Sequence, residues 1–291
     1  MNDSTADQLL RHPCFNANAR HYFGRLHLPV AAGCNIQCGY CDRKYDCPNE
    51  SRPGVTSQLL TPQEAIDHVE FILNSHPTIS VVGIAGPGDA FHNPAVTLEV
   101  LARIRAAHPD IILCVSTNGL NLPDYVDYLS RLRVNFVTVT INTLTPAIGA
   151  RIYDYISHHG RIVQGPEAVT ILTRLQLQAI SLLKRKGLRV KVNTVIIPGI
   201  NDADISLTAA RLADYRVDLM NLIPLIPVPG TPLADIPPPS AALVQQLRWQ
   251  AGKFVPQMTH CVRCRADAVG LLNQNNTLFD LTDTQTKESF G

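Results

Sequence analysis

The sequence predicts an open α/β barrel built from six parallel strand–helix units, and three observations carry that reading. Six short apolar runs rich in Val and Ile recur along the chain: Leu26–Ala32, Ile79–Ala85, Ile111–Thr117, Phe136–Ile141, Val190–Ile196 and Leu219–Ile223. Such runs are typical of buried parallel strands. Helical stripes separate them, and strand–helix alternation favours a parallel sheet with right-handed crossovers. Six units are too few to close an eight-stranded barrel. An open partial barrel follows, with a doubly wound sheet as the alternative.

The helices are justified by their spacing and their ends. Ala65, Ile66, Val69, Ile72 and Leu73 form one apolar face. Thr61 is placed to cap that helix, with Pro62 at its first position. Ala168, Ile171, Leu172, Leu175, Ala179, Leu182 and Leu183 form a longer stripe. Gly187 is its expected stop, and Lys184, Arg185 and Lys186 suit its last turn. Arg151–Gln164 reads as an insertion between the fourth strand and that helix. Pro224–Pro239 holds seven prolines and is expected to be a stiff loop. A last stripe follows at Leu243, Val244, Leu247, Ala251 and Phe254. Residues 24–254 thus read as the barrel. Residues 1–23 form an N-terminal extension, and 255–291 form a cysteine-bearing segment with a polar tail. Thr282–Gly291 is expected to be mobile.

Composition narrows the function classes. With 25 Lys plus Arg against 24 Asp plus Glu, the net charge is +1, so nucleic acid is not an expected partner. No apolar run reaches the roughly 18–20 residues of a spanning helix, so no membrane is expected either. The opening MNDSTADQLLRHPCF lacks the basic-then-apolar layout of a signal peptide. The expected location is the cytoplasm, where cysteine clusters more often bind metal or do chemistry than form disulfides.

Cys34, Cys38 and Cys41 have the spacing C-x₃-C-x₂-C directly after the first strand. Sites in parallel α/β folds gather at that end of the sheet. Three thiolates can hold three corners of a four-iron cluster and leave one iron open, whereas a structural zinc site usually closes with four ligands. This spacing, with Tyr40 before the last cysteine, resembles the radical S-adenosylmethionine (SAM) enzymes. The resemblance implies a partial (β/α)6 barrel with cysteine-bearing extensions. It also implies a [4Fe–4S] cluster whose open iron binds SAM, and chemistry through a 5′-deoxyadenosyl radical. AGPGD (Ala85–Asp89) matches the family's glycine-rich turn, placing Gly86, Gly88 and Asp89 near the methionine part of SAM. Ser116 and Asn118 in STNG share a strand face. Together with Asn193, a polar residue in an apolar run, they fit as cofactor-binding residues. Each also fits an ordinary polar position in a core.

Five cysteines remain: Cys14, Cys47, Cys114, Cys261 and Cys264. The C-x₂-C pair at 261 and 264 suits zinc, an iron–sulfur cluster or a redox dithiol. Cys114 shares the face of Ser116, or is simply a small buried hydrophobe. CNIQCGYCDRKYDCPNESRPG, AGPGD and CVRCRADAVGLL together resemble the NifB family of nitrogenase cofactor assembly, over nearly the whole chain. That resemblance implies two further [4Fe–4S] clusters as substrates. They are fused with a carbide from a second SAM methyl group and an extra sulfur into the eight-iron precursor NifB-co. It implies Cys14, His27 and Cys114 as ligands of one substrate cluster, and Cys47, Cys261 and Cys264 as ligands of the other. Glu50 and Arg52 in the ESRPG block are expected to act as a proton- or cluster-handling group and its electrostatic partner. The implied partners are an iron–sulfur cluster donor, a reductant such as a ferredoxin, and a downstream NifX- or NifEN-like carrier or scaffold, in an anoxic cytoplasm. Many relatives continue into a NifX-like domain. The residues after Cys264 are too few for one, so a stand-alone form is expected. Other readings of the residues are a different radical maturase with auxiliary clusters, a non-enzymatic iron–sulfur scaffold or carrier, and a zinc protein.

Overall fold

The computed structural model of the chain describes residues 3–272 together with 274, 276 and 277. The expected mobile stretch Thr282–Gly291 lies outside the described residues. The first half runs α1 (Asp3–Arg11), β1 (Gly24–His27), β2 (Ile36–Cys38), α2 (Pro62–Ser75), β3 (Ile79–Ile84), α3 (Pro94–Ala107), β4 (Ile112–Thr117), α4 (Val126–Arg131) and β5 (Phe136–Thr140). It continues with α5 (Pro146–Gly149), β6 (Tyr153–His158), β7 (Arg161–Val163), α6 (Gly165–Arg185), β8 (Arg189–Ile196), α7 (Ile205–Asp214), β9 (Leu219–Pro224), α8 (Ala241–Ala251) and β10 (Val269–Gly270).

The main sheet has the order β10-β1-β3-β4-β5-β8-β9. All its pairs are parallel except β1 with β10. The six expected strands are therefore the six parallel ones, each joined to the next by a helical crossover. The doubly wound alternative is not what forms: the strand order follows the chain order in one direction, as in an open barrel. β1 is shorter than the apolar run suggests. Pro29 has no N–H to donate, and after the bond from Leu28 N to Gly83 O (2.9 Å) the chain leaves the sheet.

Side chains alternate across each strand. The outward set, including Leu26, Val82, Leu113, Val137, Val190 and Leu222, packs with the helices in one core. α2 contributes Ala65, Val69 and Ile72, and α6 contributes Ala179, Ile180 and Leu183. Thr61 closes α2 with a reciprocal capping box to Glu64. Gly187 follows the end of α6 with φ +79°, a left-handed conformation that suits glycine. α8 ends at Ala251, and Phe254 lies beyond it at 44% exposure, outside the apolar face expected of that helix.

The inward set differs in character: Arg25, His27, Cys114, Ser116, Thr138, Thr140, Lys191, Asn193 and Asn221 face the barrel interior alongside Val81, Ile112 and Phe136. The strands are thus apolar outside and mixed inside. Both chain extensions close over this interior. After α1, Phe15 packs edge-on and His12 at a tilt against Phe136, with ring centroids 4.9 and 4.5 Å away. Ser80 Oγ donates to Arg11 O (2.7 Å) and Asn135 Nδ2 to Gln8 Oε1 (2.7 Å), fixing α1 at the amino ends of the strands. From the other terminus, β10 pairs with β1 in the register Arg25↔Gly270 and Leu26↔Val269.

The insertion after β5 is a hairpin, β6–β7, and it recruits β2 into a separate antiparallel sheet. Among the described residues, no helix is long and apolar enough to cross a membrane. Phe136 is fully buried where the N-terminal extension meets the sheet. Phe136→Ala is expected to cost about 3–5 kcal/mol. Urea unfolding measures this, and a loss below about 1 kcal/mol would show that the extension does not depend on that ring.

Candidate active site

The cysteine loop acquires its shape from three neighbours. β2 carries Ile36, Gln37 and Cys38 against Ile156, Tyr155 and Tyr153 of β6. Gly39 N donates to Ile152 O (2.7 Å), and the proline-rich loop returns Leu233 N to Gly39 O (2.9 Å). The turn after β3 then docks by its backbone. Gly88 N donates to Ala31 O (2.6 Å), Asp89 N to Gly33 O (2.7 Å) and Cys47 N to Pro87 O (2.7 Å). A Cβ on Gly88 would fall 2.0 Å from Gly33 O, so only glycine permits this approach.

Cys34, Cys38 and Cys41 line one cavity of about 320 Å³, shared with Gly88, Asp89 and Asn118. Asp89 is the organiser. Its carboxylate accepts from Thr117 Oγ1 (2.8 Å), Asn118 N (2.6 Å) and Phe91 N (2.9 Å). This aims Asn118 back at the loop, where its Nδ2 donates to Asn35 Oδ1 (2.6 Å) and lies 3.5 Å from Cys34 Sγ. Tyr40 is buried and joins two parts of the wall. Its hydroxyl donates to Asn49 Oδ1 (2.6 Å) and accepts from Asn142 Nδ2 (2.6 Å). Burial pushes the Cys34 and Cys38 thiols up and Cys41 up to about 11. They are poor nucleophiles and suit deprotonation by a metal instead. Three soft donors converging on one cavity fit an iron–sulfur cluster.

A second cavity, of about 70 Å³, lies inside the barrel. Cys14, His27, Cys114, Cys261 and Cys264 all line it, so both extensions and two strands contribute. Gly83 stands between His27 and Cys114 in the sheet register and leaves the space between their side chains open. Burial pushes Cys14 up to about 11 and Cys114 up to about 12. Burial lowers His27 to about 4, so it is neutral at pH 7. Its Nδ1 faces Arg265 O at 3.0 Å. A carbonyl only accepts, so Nδ1 carries the proton and Nε2 keeps its lone pair, the form a metal-ligating histidine requires. Three polar atoms lining this cavity are buried without a hydrogen-bond partner among the described residues: His12 Nε2, Thr138 Oγ1 and Asn221 Oδ1. Such atoms call for a polar occupant. Among the described residues, no three His, Cys, Asp or Glu side chains are set to hold a single metal ion.

Cys261 and Cys264 are turned to one side by Arg263, which adopts φ +54° between them. That strained conformation is held by its guanidinium, which donates to Pro224 O (2.7 Å) and Pro48 O (2.8 Å). Cys47 is placed differently. It lines the triad cavity, not the interior one, although its turn touches the other segment through Arg52 N to Cys264 O (3.0 Å).

Asn49 and Glu50 line both cavities and mark where they meet. Glu50 accepts from Thr140 Oγ1 (2.6 Å) and Asn193 Nδ2 (3.3 Å). Burial raises it from the ordinary carboxylate value of 4.5 to about 7. Ser116 and Asn193 line the interior cavity beside Glu50, whereas Asn118 lines the triad cavity. Gly86 adopts φ +113° in the turn and lines neither. Arg52 is exposed and lines a small recess with Arg25, Arg263 and Arg265. The cation beside Glu50 is Lys191.

Lys191, Arg25, Asn49 and His12 are site residues that the sequence reading passed over. Arg25 is buried, with Nε 3.3 Å from Cys264 Sγ and Nη1 donating to Gly270 O (2.5 Å) and Leu271 O (3.0 Å). A signal existed: Arg25 alternates with Leu26 to share the face of His27, and Lys191 shares that of Asn193.

Comparison with known proteins agrees with this geometry. The model of the Radical SAM superfamily matches residues 28–212. The chain is 46% identical over 266 residues to the FeMo cofactor biosynthesis protein NifB of Chlorobaculum tepidum, covering 91% of this chain and 63% of that protein. Against the protein of the same name from Klebsiella pneumoniae it is 47% identical over 276 residues, covering 94% and 59%. The chain therefore spans about 60% of the length of these curated relatives. Among solved structures, Streptococcus suis SuiB superposes with a TM-score of 0.57 at 12% identity, over 83% of this chain and 51% of that one. Methylornithine synthase (PylB) gives 0.56 at 14% identity, over 98% and 86%. At such identities the likeness shows a shared fold.

The Glu50 environment makes a pH prediction for the cluster-free protein. A carboxyl whose folded value exceeds its unfolded one stabilises the fold fully below about 4.5, and that contribution is lost as pH rises through about 7. Glu50→Gln cannot ionise. Its stability advantage over the parent is expected to widen between about pH 5 and pH 8, by on the order of 1–3 kcal/mol. Urea midpoints measure this, and a constant gap would show that the carboxylate is solvated.

Proposed function

The chain belongs to the radical SAM superfamily. On that premise we propose that it fuses two [4Fe–4S] substrate clusters, with a SAM-derived carbide and an added sulfur, into the eight-iron precursor of the nitrogenase cofactor. One observation carries the reading. Five potential ligands outside the triad surround an interior cavity, and that cavity meets the triad cavity at Asn49 and Glu50. An enzyme acting on a small organic molecule has no use for four thiols and a neutral histidine lining its substrate chamber. The similarity to proteins named for FeMo cofactor biosynthesis, over more than nine tenths of this chain, supports the same substrate class.

Cys34, Cys38 and Cys41 would hold the resident cluster, which would supply one-electron reductive radical chemistry toward SAM. Gly88, Asp89 and Asn118 shape the SAM side of the cavity, with Gly86 setting the turn. Ser116 and Asn193 orient Glu50 at the junction. Cys14, His27 and Cys114 bind one substrate cluster. Cys261 and Cys264 bind the other, with Cys47 reaching it from the triad side. A methyl group becomes a carbide only by losing its hydrogens as atoms or protons. Glu50, balanced between its two forms near pH 7, takes or holds a proton where the chambers meet. Arg52 with Arg25, Arg263 and Arg265 keeps the recess beside Cys264 positive. An iron–sulfur cluster donor, a reductant such as a ferredoxin and a carrier or scaffold for the product complete the cycle.

Anoxic reconstitution with iron, sulfide, reductant and SAM tests this. Cys34→Ala is expected to reduce 5′-deoxyadenosine formation to background. Cys264→Ala is expected to retain it while losing product and about a third of the iron. Full product from Cys264→Ala, or iron that fills only the triad in the parent protein, would overturn the proposal.

A further inference from the structure

Lys191 is a buried cation that the steps above leave without a task. It lies in the middle of β8 with only 8% of its surface exposed, and its side chain enters the interior cavity. In the sheet register it stands beside Thr138, whose Oγ1 has no hydrogen-bond partner among the described residues. Its Nζ lies 5.8 Å from the centre of the Phe15 ring, so the N-terminal extension covers it. No hydrogen bond or ion pair to Nζ forms among the described residues. Cys14, Cys114, Cys261 and Glu50 line the same cavity around it. An ammonium largely withdrawn from water with no fixed acceptor is expensive, and it points to an occupant that accepts.

His12 points the same way. Its Nδ1 accepts from Cys14 N at 3.2 Å. A neutral imidazole accepting at Nδ1 carries its proton on Nε2, and that Nε2–H has no partner while its residue lines the cavity. The two histidines thus present opposite faces. His27 offers a lone pair, as a metal requires, and His12 offers a proton, as an anion requires.

We propose that Lys191, with His12 Nε2–H beside it, is the anion-recognising floor of the interior chamber, donating to the sulfides and thiolates of the iron–sulfur substrate. The inference rests on the function proposed above and adds a positioning and specificity role to it. Thiolate ligands and bridging sulfides all bring negative charge into a medium of low dielectric, where one fixed ammonium has most effect. The chamber is therefore suited to a sulfide-bearing anion.

The test compares Lys191→Met, which keeps the length of the side chain without its charge, with Lys191→Arg, which keeps the charge. Full chains are reconstituted anoxically with iron and sulfide. Iron beyond the triad cluster is then followed under chelator challenge, and the midpoint potential of the bound clusters is measured. Lys191→Met is expected to lose that iron roughly tenfold faster, the scale of one hydrogen bond to a charged group. Its remaining interior cluster is expected at a more negative potential, because a nearby positive charge is gone. Lys191→Arg is expected to restore both toward the parent. In the cluster-free protein, Lys191→Met is expected to raise the urea midpoint, since a buried charge has been removed. A purely structural lysine would lower it. Equal iron retention and unchanged potential in Lys191→Met would overturn the inference alone. A parent protein that holds no iron beyond the triad would overturn the function on which it rests.

Discussion

The backbone contact between the cysteine loop and the turn after β3 is the constraint on which the site depends. Only Ile36–Cys38 of the loop is in regular structure. The rest is irregular chain, which holds a shape only if its N–H and C=O groups find partners. The turn supplies them at Ala31, Gly33 and Cys47, at a distance that a single Cβ on Gly88 would forbid. Asp89 leaves the same turn to grip the end of β4, and so Asn118 meets Asn35 and Cys34. The bond to Cys47 N sets the start of the next turn, which places Asn49 and Glu50 at the junction of the two cavities. One close approach thus fixes the triad, its polar neighbour and the carboxylate between the chambers.

Closing the barrel interior is a separate requirement, met by the chain ends. An open sheet exposes its inner face unless something covers it. Here α1 with Phe15 and the segment 258–264 do so from opposite termini. The same segments bring Cys14, Cys261 and Cys264, so covering the interior and furnishing it with thiols are one act. His260 Nε2, set 2.9 Å from Pro13 O, ties one extension to the other. Side chains drawn from residues so far apart in sequence converge only when the whole chain is folded, which links the make-up of the chamber to the integrity of the fold.

Much of this was legible in the sequence because the signals were local. Apolar runs of strand length marked all six parallel strands, and Thr61-Pro62 marked a helix start that the capping box bears out. Alternation from Cys114 to Ser116 placed both on the inner face, where they lie. What stayed hidden depended on partners distant in sequence. Lys191 and Arg25 look like solvated charges in a strand. Their burial follows from extensions that fold back across the sheet. Arg52 and Glu50 are neighbours in one motif, yet the turn sends Glu50 inward to Thr140 and leaves Arg52 outside. The Arg151–Gln164 insertion showed its position in the sequence but not its purpose. Its hairpin pairs with three residues of the cysteine loop, and no periodicity in either segment announces that pairing.

The two chambers differ in how they treat charge, and this follows from their surroundings. Around the triad, burial holds the thiols neutral, and Arg43 is the cation that opposes this at Cys34, Cys38 and Cys41. It reaches them from an exposed position, with its guanidinium bonded to Ile36 O and to Gln37 Oε1 (3.1 Å). In the interior the opposing cation is Lys191, without an acceptor of its own, joined at Cys14 by Arg25. Arg25 is tied by Nη1 to Gly270 O and Leu271 O and by Nε to Cys264 Sγ, so Lys191 is the one able to reorient. On the proposed function, the resident cluster needs a fixed environment and the remodelled substrate needs donors that can follow it. The flexible ammonium stem in one chamber and the anchored guanidinium beside the other match that division.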